Sequence, residues 1–173
     1  MPKIDQRLFG KVDYKRACYL FHPDYALKQA LFVDSKAEKV DGQATATLQT
    51  SQLSMIVRQV RAGQELEIAG KLPAILTLKG ESYLTTTLFV KYNYEAQDSL
   101  NVLKSITVAA VPNGMLQERY NPSVQDTIWV AGRNAPTLGE EFRVRLSFAR
   151  LKQKANWRVQ KISLFPDRFH WDA

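Results

Sequence analysis

The chain has 173 residues, 45% hydrophobic and 24% charged, proportions that suit one folded domain with a real core and exclude a disordered chain. Its 24 Lys and Arg against 17 Asp and Glu leave a net charge of +7, which favours a polyanionic partner. One Cys and two His exclude an internal disulfide and are too few for a zinc site, so neither a metal nor a cofactor is expected.

The lone thiol, Cys18, suits a reducing, cytoplasmic setting, where its apolar neighbours favour a buried, inert role. Neither an apolar leader nor a run of roughly 20 apolar residues occurs, so export and membrane insertion are not expected. Without repeats or Pro/Gly/Ser-rich linkers, residues 1–173 are expected to form a single domain, with 165–173 as a C-terminal tail.

Val12 to Phe21 reads as a first strand, and His22-Pro23-Asp24 as a turn whose Asp24 caps a short helix over 25–32, since Leu27, Ala30 and Leu31 fall at helical spacing. A polar stretch, Asp34 to Gly42, precedes a strand marked by alternating Ala44, Ala46 and Leu48. Leu53, Ile56, Val57 and Val60 then repeat at i, i+3, i+4 and i+7, which predicts a helix over 52–62 between Ser51 and Gly63, with Arg58 and Arg61 on its outer face.

From residue 65 the composition turns to strand: 65–69, 74–78 and the long Thr/Tyr/Phe/Val-rich run 83–94, with Lys79-Gly80-Glu81-Ser82 closing a hairpin between the last two. Ile106 to Val111 stops at Pro112-Asn113-Gly114, a surface loop follows, and Thr127 to Val130 resumes strand. Phe142, Val144, Leu146 and Phe148 alternate with Arg143, Arg145, Ser147 and Ala149, the period of a half-buried strand. After a polar turn at 152–156, Trp157, Val159, Ile162 and Leu164 read as its hairpin partner, with a bulge near Gln160 and with Trp157 and Val159 facing the core. The fold class is therefore mainly β (β-rich α+β): a curved antiparallel sheet or partly closed barrel with one or two short helices.

No nucleophile elbow, phosphate-binding glycine loop or metal-ligand cluster occurs, and Gly63 to Leu72 fails as a P-loop because six residues separate its glycines and Leu72 stands where Ser or Thr is needed. Glu65/Glu67 and Glu140/Glu141 are the nearest carboxylate pairs, and both read as ordinary solvated charges, with no Glu-x-Lys following the first. No catalytic residue is singled out.

The sharpest feature is charge: Arg143, Arg145, Arg150, Lys152, Lys154, Arg158 and Lys161 crowd into 19 residues without one acidic neighbour. They point to a non-enzymatic, nucleic-acid-binding accessory protein whose basic β-hairpin contacts phosphates, with Tyr92, Tyr94 and Trp157 as stacking candidates and Arg58, Arg61 and Lys91 extending the patch. The alternative is a protein-interaction or assembly subunit, or homo-oligomer, docking through a sheet edge or through the aromatic tail that carries Phe165, Phe169 and Trp171. A pocket enzyme within the curved sheet has the least support in the sequence.

Overall fold

The computed structural model describes residues 3–4, 17–21, 27–39, 44–98, 100–131, 143–165 and 168–172. In chain order the strands are β1 (Lys3–Ile4), β2 (Ala17–Phe21), β3 (Gln29–Lys39), β4 (Thr45–Gln49), β5 (Ile56–Arg61), β6 (Gln64–Ala69), β7 (Ile75–Leu78), β8 (Glu81–Gln97) and β9 (Leu100–Val111). A short helix α1 (Gln117–Tyr120) leads to β10 (Trp129–Val130) and β11 (Arg143–Ser147), then to α2 (Phe148–Lys154), β12 (Val159–Leu164) and β13 (Phe169–Asp172).

The molecule is mainly β, the expected class, and among the described residues it carries two short α-helices. One sheet dominates, in the order β1-β2-β3-β8-β9-β12-β13 with β7 also on β8, and among the described residues this is an open path rather than a closed barrel. It is mixed, because β3 and β8 run parallel from Gln29↔Leu84 to Lys39↔Tyr94. Parallel neighbours need a long crossover. Here residues 40–80 supply it, carrying β4 and the β5–β6 hairpin, while residues 112–158, between β9 and β12, carry α1, β10, β11 and α2. These two excursions build the second layer, a three-stranded sheet β10-β11-β4 beside the two-stranded β5-β6.

Period-two patterning explains the packing. Ala46 and Leu48 on β4, Val144 and Leu146 on β11, and Phe89 and Ala109 on β8 and β9 are buried in one cluster with Met55, Val57, Trp129 and Leu151. A large aliphatic or aromatic side chain buried this way contributes about 1.5–3 kcal/mol. A second, smaller cluster joins Ala30, Phe32, Leu72, Leu76 and Tyr83 at the other end of β3 and β8.

Four expectations need correction. Residues 52–62 contain no α-helix: Ile56–Arg61 is β5, paired with β6 through the two-residue turn Ala62-Gly63, in which both residues have positive φ (49° and 77°). Ile56, Val57 and Val60 are β-branched and stiff at χ1, and the tight primed turn matches strand twist, so pairing overrode the helical spacing. Of residues 25–32, the described 27–32 carry no helix either, because Ala30 and Phe32 alternate into the sheet as part of β3. The basic hairpin does not exist: β11 pairs with β4 and β10, β12 pairs with β9 and β13, and α2 lies between them. The Ser147 side chain accepts from the Arg150 amide and starts α2 where a continued strand was expected. Finally, β12 runs against β9 in unbroken register from Val159↔Ala109 to Ser163↔Ser105, so no bulge falls near Gln160, and Trp157 is 60% exposed.

The predicted strands at 74–78, 83–94 and 106–111 appear as β7, β8 and β9, and Lys79-Gly80 forms the expected tight turn with φ of 52° and 80°. The tail is folded in part, as β13 adds to β12 with Ile162↔Trp171 and Leu164↔Phe169 opposed. The turn at His22–Asp24, the side chain of Cys18, Glu140, Glu141 and Phe142 lie outside the described residues.

Candidate active site

Along β3 the inward face reads Ala30, Phe32, Asp34, Lys36, Glu38, so the alternation that buries two apolar side chains continues into three charged ones. Asp34 is 5% exposed, an unusual position for a carboxylate. Its Oδ2 lies 3.5 Å from Lys36 Nζ but has no hydrogen-bond partner. Lys36 Nζ donates to the Thr47 carbonyl at 2.6 Å and sits 5.5 Å from the centre of the Phe89 ring.

On β8, directly opposite Lys36 in the parallel register, stands Lys91, also buried. Its Nζ is 2.8 Å from Glu38 Oε2 and donates to the Thr45 carbonyl at 3.4 Å. The polar row continues across the sheet, where Asn93 donates to Ser105 Oγ at 3.1 Å, with Ser105 and Thr107 buried on β9. The Thr45 and Thr47 carbonyls belong to β4, an edge strand, so the two lysines also cover backbone acceptors at that edge. One carboxylate with an unpartnered buried oxygen, one ammonium beside it and a second ion pair next door thus meet between the two layers.

Among the described residues no group of three or more His, Cys, Asp or Glu gathers. The donor set nevertheless fits a hard divalent cation such as magnesium, which takes oxygen ligands and is commonly held by one or two carboxylates together with substrate phosphates and water. The bare Asp34 Oδ2 is the oxygen such an ion would take.

The seven basic residues singled out in the sequence are dispersed. Arg143 and Arg145 are half-buried on β11; Lys152 is exposed on α2. Arg150 donates to the Thr127 and Trp129 carbonyls, Lys154 pairs with Asp126 at 2.5 Å, and Lys161 pairs with Asp172 at 3.1 Å. Arg158 donates to the Tyr120 hydroxyl at 2.8 Å and lies over the rings of Tyr120 and Trp157. Several of these cations therefore hold neighbouring segments together, and the seven are spread over β11, α2, β12 and the turn Asn156–Arg158. Arg58 likewise ties β5 to Glu67, Glu118 and the Asn121 and Pro122 carbonyls, while Lys91 points inward with the Asp34 row. The Glu65/Glu67 pair is exposed, and Glu67 serves as the Arg58 partner.

The sequence reading passed over Asp34-Ser35-Lys36-Ala37-Glu38. Its signal was present, as charges alternating with small residues extend the period of Ala30 and Phe32. Assigning 25–32 to a helix hid that phase.

A family model described as type II restriction enzyme SfiI matches residues 1–162. The chain belongs to this family. It is 34% identical over 175 residues to the type II restriction enzyme SfiI of Streptomyces fimbriatus, an alignment that covers 95% of this chain and 64% of that protein. A member of the SfiI family, it thus spans a little under two thirds of its curated relative. The crystal structure of tetrameric restriction endonuclease SfiI bound to cognate DNA superposes with a TM-score of 0.78 at 28% identity, over 99% of this chain and 67% of that one. Restriction endonuclease BglI, solved on its DNA recognition sequence, shares the fold with a TM-score of 0.65 at 20% identity, over 79% and 54% of the two chains. Membership of the SfiI family overturns the expectation of a non-enzymatic accessory protein or assembly subunit, since the family is one of restriction enzymes.

Proposed function

We propose that the chain carries the cleavage centre of a DNA endonuclease, with Asp34 and Lys36 as its working pair. The observation that carries this reading is the buried Asp34 carboxylate, with one oxygen unpartnered, beside the Lys36 ammonium on a scaffold of the SfiI family. Hydrolysis of a phosphodiester joins a water oxygen to phosphorus and breaks the bond to one sugar oxygen. The water loses a proton, the leaving oxygen gains one, and the products are a phosphomonoester end and a hydroxyl end.

A divalent cation held by Asp34 and a DNA phosphate would supply Lewis-acid polarisation of that phosphate and a lowered pKa for bound water. Asp34 itself contributes a carboxyl oxygen that is already desolvated and makes no hydrogen bond, so the ion would not have to displace a hydrogen-bonded partner. Lys36 places an ammonium where negative charge builds up as phosphorus gains its fifth oxygen, a stabilisation that strengthens in a site shielded from water. Its bond to the Thr47 carbonyl holds the flexible side chain toward Asp34. Arg143, Arg145 and Lys152, with the remaining basic side chains of 143–161, would neutralise phosphates along the duplex. Because the SfiI structure is that of a tetramer on DNA, the same reading takes this chain to act as a homo-oligomer with DNA as its partner.

The test is cleavage of plasmid and phage DNA by the purified chain with magnesium, beside Asp34→Asn and Lys36→Ala. The expected result is discrete fragments from wild type, a loss of about 100-fold or more in both variants, and unchanged salt-sensitive DNA binding. Wild-type protein that is folded and binds DNA but cuts none of the substrates, or an Asp34→Asn variant that cuts normally, would overturn the reading.

A further inference from the structure

The charged row contains one more acid and one more base than cleavage at Asp34 and Lys36 requires. We propose that Lys91 is a positioning residue for that reaction: by holding Glu38, it keeps Lys36 directed to Asp34. This inference rests on the nuclease reading above.

The geometry sets up a competition. Asp34, Lys36 and Glu38 alternate on one face of β3, so Lys36 lies between two carboxylates, each centred roughly 7 Å from it along the strand. A lysine side chain has four rotatable carbons, and its ammonium is a point charge without a preferred direction, so either carboxylate is within its reach. Glu38 is the more solvated of the two, with a third of its side chain exposed against 7% for Asp34, and is the easier partner to approach. An unopposed Glu38 would draw Lys36 away from the reacting phosphate.

Lys91 prevents this. It stands opposite Lys36 in the β3–β8 register, its side chain is only 3% exposed, and its Nζ sits 2.8 Å from Glu38 Oε2. Burying a lysine is unfavourable unless it is paired, and burial makes this pair hard to exchange for water. The Thr45 and Thr47 carbonyls, two residues apart on β4, give each lysine its own backbone acceptor, which keeps the ammonium groups on separate partners. Lys91 holds Glu38 and reaches the Thr45 carbonyl, and so acts through Lys36.

Three variants test this in the whole chain: Lys91→Met, Glu38→Gln and the double variant. Lys91→Met should lower kcat on the order of 10- to 100-fold with little change in KM, because the ammonium needed in the reaction is misdirected while DNA contacts remain. Glu38→Gln alone, which removes the competing carboxylate, should cost less rate than Lys91→Met. The double variant should recover most of the lost rate, since removing the competing carboxylate removes the need for its partner. A role of Lys91 in packing alone predicts no rescue.

An independent readout is NMR of the side-chain ammonium groups in 15N-lysine-labelled protein, assigned through Lys36→Arg. The Lys36 resonance should move in Lys91→Met and return in the double variant. A Lys36 signal unmoved by Lys91→Met, or a rate deficit that Glu38→Gln does not relieve, would overturn the proposal. If wild type cleaves nothing, the nuclease reading fails and the NMR comparison still decides whether Lys91 directs Lys36.

Discussion

At the scale of single residues, two glycines show how tightly the excursion after β4 is threaded. A Cβ on Gly70 would lie 2.2 Å from the Leu53 carbonyl oxygen, and one on Gly114 would lie 2.2 Å from that of Ser54. Both contacts are with backbone, which cannot swing aside like the end of a side chain. The Gly70 amide also donates to the Met55 carbonyl and the Leu72 amide to that of Leu53, so residues 53–55 are fixed against 70–72. Gly70→Ala should therefore lower stability by about 2–4 kcal/mol, whereas Gly63→Ala, with open space around it, should incur only the strain of its positive φ. Chemical denaturation of the two variants checks the difference; equal midpoints would contradict the close approach. Asn113 works at the same junction, with its Nδ2 donating to the Ala74 and Thr85 carbonyls at 2.8 Å each and its Oδ1 accepting from the Met115 amide.

Among the elements, β13 is held by a polar clasp that responds to acid. Ser163 donates to Asp172 Oδ2 at 2.7 Å and Lys161 lies 3.1 Å from the same oxygen; the Ser163 bond and then the Lys161 interaction hold this carboxyl below its ordinary value of 3.8. A carboxyl whose pKa is depressed by folding adds stability above its unfolded value and loses it as pH falls through the folded one. The β12–β13 pairing should accordingly loosen below about pH 4, ahead of the β8–β9 hairpin, and Asp172→Asn should remove that pH dependence. Amide exchange at residues 169–172 between pH 3 and 6 is the measurement. The same strand shows what a sequence conceals about an element: Phe169 and Trp171 left docking on a partner and packing on the chain's own domain both open, because whether an aromatic segment docks outward or adds to a sheet depends on the edge available to it. β12 offers that edge.

For the whole molecule, the basic residues of 143–161 are divided between the second-layer sheet, α2 and the large sheet rather than collected on one hairpin. If Arg143 and Arg145 contact phosphates, replacing both with Ala should reduce the slope of log affinity for DNA against log salt by about 2, weakening binding to all sequences alike. Arg158→Ala should instead act through stability, because its guanidinium bridges Tyr120 and the Ala110 carbonyl. Titrations at several salt concentrations distinguish the two. An unchanged slope in the Arg143/Arg145 variant would remove those side chains from the interface.

By itself the sequence determined what depends on local chemistry: the mainly β class, the long strands at 83–94 and 106–111, the Lys79-Gly80 turn and an excess of positive charge suited to a polyanion. Alternation and turn residues are read a few positions at a time, and at those places neighbouring structure agreed with them. Tertiary structure decided the rest. The span 52–62 satisfied a helical period and a β-branched composition at once, and only pairing with β6 chose between them. The segment after Ser147 could continue as a strand or begin a helix, and the pairing of β11 with β4 left it to begin α2. The candidate site was the least legible part, because Asp34 and Lys36 are ordinary surface residue types in sequence, and only the fold buries Asp34 and sets Lys36 beside it. That burial arises when residues 40–80 cross over the sheet, lay β4 above β3 and bring Lys91 into register from more than fifty residues away.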